Sequence, residues 1–167
     1  QVTMKVGLSY VSQADALANL NAEDSGRSES QVAQNTYQQW DQLLSKLRVG
    51  GGTHEQQVNF YTALYHALLE PSIFSDDNGS YLGYDDAVHH TKPGQTQYTN
   101  FSGWDIYRSE IPLLAVVAPE QTSQMVTSLL NDEAQGGWLP KWGFANDYTA
   151  VMNGDAADPI ITEAYAF

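Results

Sequence analysis

The chain has 167 residues, 42% of them hydrophobic, with twenty acidic against seven basic side chains, a net charge of −13 and no cysteine. That length suits one domain with a real core or part of a longer multi-helix architecture, and the missing cysteines exclude a disulfide framework and a thiolate nucleophile. The charge is concentrated after Arg48, where fifteen acidic residues stand against three basic ones; such a field repels phosphate backbones and anionic lipid surfaces, which argues against nucleic-acid binding and membrane attachment.

The opening Gln1-Val2-Thr3-Met4-Lys5-Val6 alternates like a strand already under way, with no signal-peptide layout. Helical spacing with Ser12 as N-cap predicts a helix from Ser12 to Glu23, with Leu17 and Leu20 on one side, and Asp24-Ser25-Gly26-Arg27 breaks it. A longer helix is predicted from Ser28 to Leu47, because Val32, Thr36, Trp40, Leu43, Leu44 and Leu47 form one apolar stripe that ends at Gly50-Gly51-Gly52. Thr53 with Gln56 makes a capping box for a third helix to about Leu69, whose face carries Val58, Tyr61, Leu64, Tyr65, Leu68 and Leu69. Phe60 and His66 lie off that stripe, and aromatics nearly all round predict a helix enclosed on both sides.

From Pro71 to Ser102 no helical period is present, but Tyr81-Leu82-Gly83-Tyr84 and Ala87-Val88-His89 read as two short strands. A helix is predicted from Gly103 to about Val117, kinked or divided at Pro112, and another from Pro119 to about Asn131, stopped by Gly136-Gly137. Trp138 to Gly143 reads as a turn-rich aromatic loop. Asp158-Pro159 reads as N-cap and first residue of a final helix, which reaches Phe167 without a stop signal, so the chain is expected to be a piece of something larger. No stretch approaches the ~20 apolar residues of a membrane span.

The acidic run Asp76-Asp77-Asn78-Gly79-Ser80 invites a cation, but placing Gly79 sixth in an EF-hand loop puts Phe74 first and leaves no closing Glu; solvated turn residues are the expectation. His89 and His90 should point to opposite faces of an extended segment, as a surface pair. No residue here is assigned as a metal ligand. Among Asp105, Glu110, Asp147 and Asp155 no acid and base pair can be assembled, since Asp105 and Glu110 lie more than one helical turn apart.

A sugar platform is clearer. In Phe101-Ser102-Gly103-Trp104-Asp105-Ile106-Tyr107-Arg108, Ser102 is a good N-cap, Asp105 suits the positive end of the helix dipole, and Arg108 is its i,i+3 neighbour. Trp104, Trp138 and Trp142 offer apolar faces to pyranose rings, while Asp105 and Arg108 offer hydrogen bonds to vicinal hydroxyls. On spacing alone, a buried Trp beside a structural ion pair is the alternative.

The ordered set Phe60 to His66, Pro71, Asp76 to Gly79 before Tyr81, Ser102-Gly103-Trp104-Asp105 with Tyr107-Arg108, Pro112-Leu113-Leu114, Gly136-Gly137, Leu139 to Trp142 and Met152-Asn153-Gly154-Asp155 resembles glycoside hydrolase family 92. The resemblance implies a mainly α segment: residues 1–11 ending an N-terminal β-sandwich, 12–49 as linker helices, and 50–167 as the first part of an (α/α)6 barrel. It implies a calcium-dependent, inverting exo-α-mannosidase acting on α-1,2-linked terminal mannose of mannosides or N-glycans, in a secreted or periplasmic bacterial protein. Trp104, Asp105, Arg108, Trp142 and Asp155 would bind substrate, whereas the acid, the base and most calcium ligands would lie beyond Phe167, in the remainder of the polypeptide. A noncatalytic carbohydrate-binding helical module would explain the aromatics without a dyad, and a helical scaffold would explain the stripes but not the polar aromatic loops.

Overall fold

The computed structural model describes residues 2–24 and 26–167. Gln1, in the expected opening strand, and Ser25, in the expected break, lie outside them. The chain is mainly helical, as expected, with short strands confined to the connections.

Residues 2–11 form no strand, which corrects the expectation. Their alternation is real, with Val2, Met4, Val6 and Leu8 all exposed, but a strand exists only through its ladder, and no described strand pairs with this segment. Lys5 ties it down through an ion pair with Asp24 at 2.7 Å and a bond to the Arg27 carbonyl. Helix α1 (Gln13–Asp24) begins where expected, Ser12 Oγ accepting the Asp15 N–H at 3.0 Å. Helix α2 (Glu29–Leu44) and helix α3 (His54–Ala67) both open with complete capping boxes, Ser28 with Gln31 and Thr53 with Gln56.

Trp40 meets Tyr65 edge-on at 4.6 Å, packing α2 against α3. Among the described residues, helix α3 is nevertheless not enclosed. Only Leu64 is buried, whereas Val58, Phe60, Tyr65 and Leu69 are exposed; periodicity tells which residues can be buried together, not whether a partner stands on each side.

Strand β1 (Ser72–Ile73) pairs antiparallel with β4 (Tyr98–Thr99), and between them β2 (Ser80–Leu82) and β3 (Val88–His90) form the expected hairpin, Tyr81 opposite His89. Asp76 is not a solvated turn residue. It is buried, with Oδ2 accepting from Ser9 Oγ and Oδ1 from Asn19 Nδ2, each at 2.7 Å. The loop is thereby clamped to α1, and Asn78 completes the clamp by donating to Asp15 at 2.8 Å.

The helix expected over 103–117 is divided into α4 (Gly103–Ile106) and α5 (Glu110–Val117). The break falls at Tyr107–Ser109, which leaves Pro112 in the first turn of α5, where its missing N–H has no helical partner to lose. Helix α6 (Pro119–Gly136) runs past Asn131 and stops at Gly137, whose φ of 85° is the left-handed cap a Cβ would oppose. An unexpected hairpin follows: β5 (Gly143–Phe144) and β6 (Asp147–Tyr148) are joined by Ala145 and Asn146, both at positive φ, as a type I′ turn requires. Helix α7 (Ala157–Ala166) starts before Asp158, with Ala156 as N-cap, so Pro159 again sits in a first turn.

The core lies where α4, α5, α6 and α7 meet β4. Phe101, Ile111, Leu114, Leu129 and Ile160 are almost wholly removed from solvent there, each contributing about 2–3 kcal/mol of transfer free energy. Lys46 joins α2 to this core by donating to the Val117 carbonyl at the end of α5.

Candidate functional site

Three stretches converge on the start of α4. A Cβ on Gly103 would stand 2.7 Å from the Lys141 carbonyl oxygen and 2.9 Å from Ala156 Cβ, so the loop before β5 and the turn before α7 both close on the helix only because residue 103 is glycine. The Gly143 N–H donates to the Phe101 carbonyl, and Ser102 pairs with Trp142 in an isolated antiparallel bridge. Trp104, Asp105, Trp142 and Asp155 thus belong to segments in backbone contact or one residue from it.

Ser102 does not cap α4 with its side chain. Its hydroxyl accepts from Trp142 Nε1 and donates to Asp105 Oδ2, joining two of the expected site residues. Trp142 is half-buried and lies parallel to Phe144, at 8° and 6.4 Å, while Trp138 meets Tyr148 edge-on at 5.9 Å. Trp104 is 52% exposed and Trp138 57%, and Asp105 is exposed as well. The buried-Trp alternative therefore fails for Trp104 among the described residues.

Arg108 departs from expectation. No ion pair joins it to Asp105 among the described residues; its guanidinium lies 5.0 Å over the Tyr107 ring instead. The Asp105 carboxylate is engaged by Ser102 instead, and Arg108 lies just past the end of α4. Asp155 is exposed, and its carbonyl accepts the Asp158 N–H at the entry to α7.

Glu110 shows what spacing could not. It is half-buried at the start of α5, with Oε1 buried and unpartnered, and desolvation first, then the charges of Glu70 and Asp105, push its pKa up to about 7. The charge of Asp105 thus reaches Glu110 without a hydrogen bond between them. Asp147 sits in β6, where its charge, after burial and Asp132, helps raise the Tyr84 phenol.

No group of three or more His, Cys, Asp or Glu that could hold a metal occurs among the described residues. The acidic loops are occupied internally: Asp76 by Ser9 and Asn19, and Asp85 by His89 at 2.9 Å. These residues do not fit a calcium site.

The protein-family comparison is decisive about class, because the model of the glycosyl hydrolase family 92 catalytic domain matches residues 15–167. This chain belongs to glycosyl hydrolase family 92. Among solved structures, the GH92 α-mannosidase BT3965 from Bacteroides thetaiotaomicron is 30% identical, with a TM-score of 0.85, over 91% of this chain and 20% of its own. Its complex with mannoimidazole superposes at 0.81, with 31% identity over 86% of this chain and 19% of its own. The family 92 inverting mannosidase BT2199 from the same organism gives 0.87 and 28% identity, over 95% of this chain and 21% of its own. The chain therefore spans about a fifth of the length of these family 92 structures. A search of curated proteins gives no match.

Within this family 92 segment, three residues make contacts or meet surroundings that their spacing does not reveal. Ser102 reads as a helix cap because Ser-x-x-Asp is also a capping pattern, Phe144 lies in a hairpin signalled only by Asn146, and helical geometry gives no sign that Glu110 is half-buried.

Proposed function

We propose that this chain supplies terminal-sugar recognition in a calcium-dependent, inverting exo-α-mannosidase that releases α-1,2-linked mannose from mannosides or N-glycans. The observation that carries the reading is the exposed Trp104-Asp105 pair, its carboxylate held by Ser102 beside the Trp142 ring, in a family 92 chain that resembles a mannosidase solved with mannoimidazole. Membership in family 92 makes the chain part of a glycosidase; the sugar, linkage and stereochemical course are our inference.

An inverting glycosidase protonates the leaving oxygen with a carboxylic acid and activates water with a carboxylate on the other face of the ring. In our reading both groups, with the calcium ion, belong to the remainder of a longer polypeptide. The residues here bind and orient. Asp105 accepts from hydroxyls of the terminal sugar and Trp104 stacks on its apolar C–H face, which fixes the anomeric carbon for attack and excludes water from one side. Trp142 and Asp155 complete the rim, and Arg108, turned onto Tyr107, contributes only if that contact opens. The same reading places the enzyme outside the bacterial cytoplasm, secreted or periplasmic, where polymeric glycans are met; no helix among the described residues is long and apolar enough to cross a membrane.

The test is mannose release from α-1,2-mannobiose by the full-length enzyme and its Asp105→Ala variant, with folding checked by circular dichroism. A fall in kcat/KM of at least about 100-fold, near 3 kcal/mol of transition-state stabilisation, is expected. Unchanged turnover by the folded variant would remove Asp105 from the site.

A further inference from the structure

We propose that Ser102 is a positioning residue of the sugar site, a relay that couples the Trp142 indole to the Asp105 carboxylate and decides which oxygen of Asp105 stays open. The inference rests on reading Asp105 and Trp142 as sugar-binding residues.

Hydrogen-bond chemistry gives the relay a direction. An indole N–H only donates, so Ser102 Oγ must accept from Trp142. A hydroxyl has one proton, and here it goes to Asp105 Oδ2. Oδ2 of Asp105 is thereby taken as an acceptor, while Oδ1 has no hydrogen-bond partner among the described residues. A neutral sugar hydroxyl that donates to Oδ1 fits this polarity, and a hydroxyl that needs a donor does not.

The absence of a side-chain cap on α4 is an independent sign. A Ser preceding a helix ordinarily accepts a backbone N–H; this one forgoes that bond for two side-chain bonds, one to Asp105 three residues on and one to Trp142 forty residues away. The backbone keeps both ends in register through the Ser102 and Trp142 bridge, the Gly143 to Phe101 hydrogen bond and the close approach of Lys141 to Gly103. Without the hydroxyl, Asp105 is free to rotate and the half-buried indole N–H loses its acceptor.

The experiment measures kcat and KM on α-1,2-mannobiose for the full-length enzyme with Ser102→Ala, Ser102→Thr, Trp142→Phe, the Ser102→Ala/Trp142→Phe pair and Asp105→Ala. We expect Ser102→Ala to lower kcat/KM about tenfold, mainly through KM, because the relay orders Asp105 before the sugar binds. Ser102→Thr should restore it to within about threefold, and the double variant should lose little more than the worse single one, since both act through one relay. Additive losses, failure of threonine to rescue, or an unaffected Ser102→Ala enzyme overturns the relay. If Asp105→Ala is itself harmless, the sugar-site reading fails; if Asp105→Ala is crippled while Ser102→Ala is not, only the relay fails. A readout free of turnover is the indole N–H signal of Trp142 in 15N-tryptophan-labelled protein, assigned by its loss in Trp142→Phe. It should move in Ser102→Ala and return in Ser102→Thr, and a signal indifferent to both overturns the proposal.

Discussion

Asp132 has no solvent exposure, accepts from Gln97 Nε2 at 3.0 Å through Oδ1 and leaves Oδ2 unpartnered. Burial raises its pKa to about 8, against the Gln97 hydrogen bond that lowers it, and Glu110 is raised to about 7. A carboxyl that is harder to ionise in the folded chain binds more protons there than in the unfolded chain, so its stabilising effect is complete below the unfolded pKa and fades as pH rises through the folded one. Stability should therefore fall from about pH 5 to above pH 8. Asp85, held below its ordinary range chiefly by its hydrogen bond with His89, titrates beneath that window. Asp132→Asn keeps an acceptor for Gln97 and removes the charge; it should flatten the upper part of the profile and raise stability above pH 8 by on the order of 1–3 kcal/mol. Thermal unfolding at several pH values checks this, and a variant with the wild-type pH slope would contradict it.

At the scale of elements, the joints are polar and specific. The Asp76 clamp fastens α1 and the Ser9 turn to the loop before β2, and both of its carboxylate oxygens are engaged. Asp76→Ala strands the Ser9 and Asn19 donors, an expected cost of about 2–3 kcal/mol, and should show as faster proteolysis between residues 9 and 24, with the α5 to α7 core still protected. The β5–β6 hairpin holds an inefficiency of the opposite kind: Ala145 sits at φ 51° in a turn that suits Gly, Asn or Asp. Ala145→Gly should stabilise by about 0.5 kcal/mol, read as a small rise in Tm, and a fall would mean that the methyl packs usefully.

Taken whole, the chain places its core at one end and leaves apolar faces at the other. Val58, Phe60 and Tyr65 of α3, Leu69 just beyond it, and Val32 and Tyr37 of α2 are exposed, a concentration of large apolar side chains on two packed helices that suits burial against a further part of a larger fold. Together with a span of about a fifth of the family 92 structures it matches, this supports the proposal that the segment does not hydrolyse sugar alone. The 167-residue chain should bind a hydrophobic dye strongly and release no mannose from α-1,2-mannobiose; turnover by this segment in purified form would overturn that division of labour.

What the sequence determined by itself is what short-range physics controls. The capping boxes at Ser28 and Thr53, the stop at Gly137 and the hairpin around Tyr81 and His89 each depend on residues a few positions apart, and the ordered motifs pointed to family 92 without coordinates. The tertiary structure decided where the polar side chains go. Ser102 looked like a cap and became a link to Trp142; Arg108 looked like the partner of Asp105 and turned to Tyr107; Asp76 looked solvated and proved buried against Ser9, 67 residues away. A cap or turn is selected by energies within one turn of chain, whereas a hydroxyl or carboxylate with several possible partners takes the one that chain closure brings within about 3 Å, and no local pattern encodes that choice.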